Sequence, residues 1–137
     1  MCKKIIALML AMLCGQAFAG WTITPYASEG DGTFYWDVQK ISYQGDGLTI
    51  WTAVDFGKVQ ISKFKPTHTY LSVQEQLELD CVKSQSRVLN YIEYSDHLGI
   101  GSVVGQRQND AQWTAIEPDT LSYHVMETFC RKPKSNS

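Results

Sequence analysis

Residues 69–81, TYLSVQEQLELDC, decide how the rest of the chain is read. Leu71, Val73, Leu77, Leu79 and Cys81 share one parity, while Ser72, Gln74, Gln76, Glu78 and Asp80 hold the other. Successive side chains of a strand point to opposite faces, so this alternation describes a strand with one apolar and one polar side. Glu75 interrupts the apolar side, which predicts a bulge, a strand end or a sheet edge there. Downstream, SRVLNYIEYSD (86–96) continues as a long strand with Val88, Ile92 and Tyr94 opposite Leu89 and Tyr91, and GSVVGQRQ (101–108) as a shorter one. Upstream, LTIWTAVDF (48–56) sets Leu48, Ile50, Val54 and Phe56 against Trp51 and Ala53. Earlier still, WTITPYAS (21–28) and FYWDV (34–38) flank the glycine-rich EGDGT (29–33) as a β-hairpin, and YQGDG (43–47) is another turn. These connections are too short for helical crossovers, so the sheet is antiparallel.

The chain ends differently. EPDTLSYHVMETFCR (117–131) has a proline and acids in its first turn, Leu121, Val125 and Phe129 at four-residue spacing, and Arg131 and Lys132 at its end. That is a helix whose dipole is complemented at both ends. The expected fold class is α+β, an antiparallel sheet of about six strands with a C-terminal helix packed on it. The 137 residues, 44% hydrophobic and 19% charged, suit one domain with a core.

The N-terminus is read separately. MCKKIIALMLAMLCGQAFAG (1–20) joins a basic start at Lys3 and Lys4, an apolar run from Ile5 to Leu13, and Ala17-Phe18-Ala19. This is the pattern of a secretory signal peptide over residues 1–19, with cleavage after Ala19. A membrane-spanning anchor needs about 20 apolar residues, and the run is shorter. Cys14 is a poor lipidation site, because bulky Leu13 precedes it. The mature domain is expected over residues 20–131, with residues 132–137 a disordered tail. Loss of Lys3 and Lys4 leaves ten basic against fourteen acidic residues, a net charge near −4. That balance excludes a general nucleic-acid binder, which needs a basic surface for phosphates. The expected location is periplasm, cell surface or medium.

Cys81 and Cys130 remain in a chain bound for an oxidising compartment, and one pair allows one intramolecular connectivity. A disulfide between the strand end and the last helical turn is the expectation.

The residues also resemble a known family, the surface-adhesin protein E-like domains of exported bacterial proteins. The resemblance is carried by GTFYWDVQKI (32–41) with Tyr35, Asp37 and Ile41, by the Ser72–Cys81 pattern S-V-x-x-x-x-E-x-D-C, by WTAIEP (113–118) and by the terminal-helix Cys130. It implies an antiparallel sheet with a helix on it and a Cys–Cys staple at these positions. It also implies a non-enzymatic binding protein, since the namesake is an adhesin for host matrix proteins such as vitronectin and laminin. No binding residue of the adhesin lies on a matching motif here, so none is carried over.

Motifs for chemistry are weak. His68, His97 and His124 lack metal-ligand spacing. The segment from Glu29 reads like a calcium loop only until its sixth position, which is Phe34 where glycine is required. Gly99, Gly101 and Gly105 form a spacing one residue too long for a dinucleotide fingerprint, outside any βαβ unit. Cys130 lies at a helix C-terminus and Cys81 beside Asp80 and Glu78, settings that disfavour a thiolate. Asp37 and Glu93 read as hairpin or rim acids. Neither an enzyme nor a cofactor or metal site is expected. The sixteen aromatics exceed what one core face needs, and Tyr and Trp favour interfaces. Trp36, Trp51, Tyr91 and Tyr94 are therefore candidate contacts for a protein partner, either a host matrix protein or an envelope component. The competing expectation is that the helix covers the second face and buries them. An exposed sheet edge or face also invites a homodimer.

Overall fold

In the computed structural model, residues 20–25, 32–108 and 112–130 are described. The expected signal peptide (1–19), most of the first glycine-rich connection (26–31) and the expected tail (132–137) lie outside them.

The strands are β1 (Trp21–Ile23), β2 (Gly32–Asp37), β3 (Ser42–Gln44), β4 (Gly47–Ile61), β5 (Thr69–Asp80), β6 (Gln85–Tyr94), β7 (Val103–Gln108) and β8 (Thr114–Ala115), followed by helix α1 (Leu121–Phe129). They form one sheet in the order β1-β2-β4-β5-β6-β7, with β3 also on β4 and β8 also on β6. Among the described residues, eight strands thus occupy six positions. Every pairing is antiparallel, and the α+β architecture read from the alternation holds.

β5 lies in the middle, and Glu75 is paired on both sides, with Thr52 and Tyr91. The expected irregularity therefore involves no edge. It falls one residue later, where Gln76 pairs with Asn90 but Leu77 with Val88, leaving Leu89 as an extra residue in β6. A one-residue bulge reverses side-chain parity beyond it. Val88 consequently shares a face with Tyr91 and Glu93, while Ile92 and Tyr94 lie on the opposite face across from Gln74 and Ser72. This corrects the strict alternation read from residues 86–96.

On the apolar face, Trp36, Leu48, Ile50, Leu77 and Leu79 form a buried cluster closed by Val125 of α1. Leu121, Met126 and Phe129 pack around it, as their helical spacing requires. The helix begins later than the sequence suggests. Thr120 caps it, its Oγ1 accepting the Tyr123 N–H at 3.2 Å, and Asp119 sits before the cap with φ 63°. The first turn holds no acid and the last turn no base, so capping rather than side-chain charge satisfies the N-terminus.

The Cys81–Cys130 disulfide is present, with Cα atoms 5.7 Å apart. It closes the end of the sheet where two turns meet. The Cys81 N–H donates to the Asp46 carbonyl (2.9 Å) in the β3–β4 turn, and Tyr43 Oη donates to the Phe129 carbonyl (2.9 Å) at the end of α1. Asp80 Oδ1 accepts the N–H groups of Val82 and Lys83 at 3.0 and 2.9 Å, which shapes the β5–β6 turn. Gly47 pairs with Asp80, and any Cβ at that position would collide with the Leu79 carbonyl. This is a close approach only glycine permits.

Candidate interaction face

The helix roofs only one end of the apolar face. The other end is covered by residues 62–68, a strap connecting β4 to β5. Its ends are held together by the Ser62 N–H donating to the His68 carbonyl (2.8 Å). Phe64 meets the Tyr91 ring edge-on at 5.5 Å, and the Arg107 guanidinium lies 3.6 Å from the centre of the Phe64 ring. Beneath the strap, Glu93 is 1% exposed. Ser62 Oγ (3.0 Å) and Tyr91 Oη (3.2 Å) donate to its Oε1, and His68 Nε2 contacts its Oε2.

His68 Nδ1 lies 2.8 Å from the Pro66 carbonyl. Both ring nitrogens therefore face acceptors, an arrangement suited to the imidazolium. The Pro66 carbonyl, then the Glu93 carboxylate, raise the His68 pKa above its ordinary value. Burial pushes the Tyr91 hydroxyl up as well. Ser62 and His68 each address the carboxylate, so the trio is a buried latch for the strap. A nucleophile would instead need its hydroxyl on the imidazole.

Asp37, expected at a rim like Glu93, is 1% exposed where it meets Gly20 and the 38–40 turn, and Glu93 is fully enclosed beneath the strap. Strand parity cannot reveal a roof contributed by a distant loop.

Among the described residues, the opposite face has no such roof. Across it run Ile23, Tyr35, Ala53, Gln74, Ile92 and Gln106, placed side by side by the strand register. Beside them, Trp51 is level with Gln76 and Asn90. The polar groups bond to one another. Asn90 Nδ2 donates to Gln76 Oε1 (2.6 Å), Tyr94 Oη to Gln74 Oε1 (3.3 Å), and Arg87 Nε to Glu78 Oε2 (2.9 Å). The Arg87 guanidinium also stacks 4.5 Å from the centre of the Trp113 ring. Such bonds hold rotamers fixed before any partner arrives, which lowers the entropy lost on binding.

One corner of this face is closed by the turn after β6. Ser72 Oγ donates to the Asp96 carbonyl (2.6 Å) and accepts the Gly99 N–H (2.9 Å), and Asp55 Oδ1 accepts the Leu98 N–H (2.9 Å). Between that turn and β1 lies a shallow depression. Trp21, Tyr35, Asp55, Gln74 and Leu98 line it around the small Ala53.

Of the four aromatic candidates, Trp51 and Tyr94 lie on this open face, both half-buried. Trp36 does not. It is 6% exposed, with its ring 4.8 Å from Phe129 in an edge contact, and is a core residue. Tyr91 lies on the covered face beneath Phe64. The structure therefore splits the set between two faces. Trp21, Tyr35 and Ala53 belong to the open face and were not singled out from the sequence. Ala53 shares strand parity with Trp51, the one signal that points to it.

Glu75 sits on the covered face, half-buried between Thr52 and Tyr91. Desolvation raises its pKa. The sign follows: ionised Glu75 costs stability above its folded-state pKa, and the cost disappears below about pH 4.3, the unfolded value. Glu75→Gln should therefore raise the melting temperature at pH 7 and lose that advantage near pH 4. Thermal denaturation at both pH values checks this, and a destabilised variant at pH 7 would contradict it.

Among the described residues, no three His, Cys, Asp or Glu side chains gather as metal ligands. No helix among them is long and apolar enough to cross a membrane.

A disulfide-stapled antiparallel sheet, roofed on one face and, among the described residues, open and aromatic on the other, defines an α+β sheet domain of the protein E type. The chain belongs to the surface-adhesin protein E family, whose pattern matches residues 21–131. In structure it is similar to protein E from non-typeable Haemophilus influenzae, with a TM-score of 0.60 and 17% identity over 82% of this chain and 76% of that one. A second structure of Haemophilus influenzae protein E gives a TM-score of 0.60 and 16% identity over 82% and 84% of the two chains. No curated protein matches the chain.

Proposed function

We propose that this is an exported, adhesin-like binding protein that engages a protein partner through the open sheet face. The observation that carries the proposal is that face, uncovered among the described residues apart from the corner closed by the turn after β6. It combines aromatic surface from Trp21, Tyr35, Trp51 and Tyr94 with amides already fixed by mutual hydrogen bonds. Aromatic anchors among satisfied polar groups are the usual composition of a protein-binding surface. Family membership favours a host matrix protein as the partner, with no catalysis involved.

The test is binding of the mature protein to immobilised vitronectin and laminin and to whole cells. Ala53→Arg fills the depression from its floor and Trp51→Ala removes an anchor. Each should weaken binding at least tenfold while leaving the melting temperature within a few degrees. Saturable binding to none of these targets would sink the adhesion reading, and binding indifferent to both substitutions would remove the open face from it.

A second reading is a periplasmic accessory protein with an endogenous partner. Bulky Leu13 before Cys14 favours it, because it weakens the case for a lipid anchor. Cell fractionation separates the two: a protein kept in the periplasm and shielded from external protease is no surface adhesin. A homodimer through a sheet edge or the open face is the third arrangement, and sedimentation of the mature protein reads it directly.

A further inference from the structure

Asp37 differs from Glu93 in its supply of donors. It caps the short 3₁₀ turn at residues 38–40, with Oδ1 accepting the Gln39 N–H at 3.1 Å. Its Oδ2 is buried without a hydrogen-bond partner. Among the described residues, the cation paired with it is Lys40, whose Nζ stands 3.8 Å away on a side chain 66% exposed. That is beyond hydrogen-bonding reach, and the lysine is free to turn into water. A carboxylate oxygen sealed from water without a donor is costly, and such groups call for an explanation.

What faces Asp37 is the backbone of Gly20. The Gly20 carbonyl accepts the Val38 N–H at 3.2 Å, and the next residue, Trp21, pairs directly with Asp37. A Cβ placed on Gly20 would lie 2.5 Å from Asp37 Oδ1 and 3.2 Å from Gln39 Oε1. Two acceptor oxygens therefore converge where no side chain fits. The nitrogen and Cβ positions of one residue are about 2.5 Å apart, so the Gly20 nitrogen lies within about 5 Å of Asp37 Oδ1, and the other oxygen of the same carboxylate is the unpartnered Oδ2. Gly20 is also the residue that follows Ala17-Phe18-Ala19. Hydrolysis of the Ala19–Gly20 bond consumes one water and leaves a carboxylate on Ala19 and an ammonium on Gly20. One amide N–H is thereby replaced by a cation with three donors.

We infer that the Gly20 ammonium created by signal-peptide cleavage is the missing partner of the Asp37 carboxylate, so that processing completes the fold. The inference rests on the export reading made above. An uncleaved precursor is one buried ion pair short and hence less stable than the mature chain.

The test starts with the intact mass of the exported protein, expected to begin at Gly20. Melting temperatures are then compared for that protein and for one carrying an extra alanine between Ala19 and Gly20, each with Asp37 and with Asp37→Asn. Asparagine retains a side-chain oxygen for the Gln39 N–H, and Asp37→Ser serves if that variant does not fold. The extra alanine should lower the melting temperature by about 5 °C or more with Asp37 present and by little without it. An equal fall in both backgrounds, or none in either, overturns the pairing alone. A mature mass beginning elsewhere overturns the cleavage site and the pairing together.

Discussion

Breaking the Cys81–Cys130 bond should lower the melting temperature of the mature protein by about 15 °C. The two residues are 49 positions apart, and closing a loop of that length stabilises by about 4 kcal/mol in the chain-entropy model. For a domain of this size each kcal/mol corresponds to about 4 °C. The loss falls on one place. Cys130 ends the short helix whose Val125 and Phe129 cover Trp36, Leu48 and Ile50, and a nine-residue helix has little stability of its own. Cys81→Ala and Cys130→Ala should be equivalent, and each should match the reduced wild-type protein. Thermal denaturation with and without reductant makes the comparison. Two titratable thiols in the native, unreduced protein, or an unchanged melting temperature, would refute it.

The second large effect concerns Glu93. Glu93→Ala removes the acceptor of Ser62, Tyr91 and His68 at a buried position, and should cost about 3 kcal/mol. The strap over residues 62–68 should loosen first, so its amides should exchange faster while those beneath α1 keep their protection. A uniform loss of protection would mean that the latch is not local. The same site predicts a pH dependence. His68 has a raised pKa in the folded state. Its contribution is complete below the unfolded value of about 6.5 and is lost as the pH climbs through the higher folded value. Wild type should therefore lose more stability between neutral and mildly alkaline pH than His68→Gln. Equal slopes would show that the imidazolium contributes nothing.

Several features were legible because they depend on local order alone. The alternation in residues 69–81 gave β5 and its two faces, and Leu48, Ile50 and Val54 fell on the face opposite Trp51 and Ala53, as their parity requires. The staple was legible by arithmetic, since the two cysteines left beyond the expected signal peptide have one way to pair. Elsewhere a single residue changes the geometry. Leu89 bulges out of register, so Val88 and Tyr94, of equal parity, ended on opposite faces. Thr120 outcompeted the acids before it for the helix start, because its hydroxyl reaches the Tyr123 N–H.

The candidate face was only half legible. Trp36 and Trp51 look alike in sequence, yet one is sealed against Phe129 and the other lies on the open face. The difference lies in which side of the sheet received a roof, and the roof is assembled from α1 and from SKFKPTH (62–68), a polar segment that reads as an ordinary loop. Phe64 and His68 acquire their roles only when β4 and β5 bring the strap over Tyr91 and Glu93.

By itself, the sequence determined the period of β4 and β5, the helix, the staple and the expected point of cleavage, because each depends on neighbours a few residues apart or on a count of cysteines. Tertiary structure decided which face stayed bare, which carboxylates were buried, and that Gly20 came to rest against Asp37. Those outcomes depend on contacts between segments distant in the chain, and burial and charge pairing are properties of such contacts.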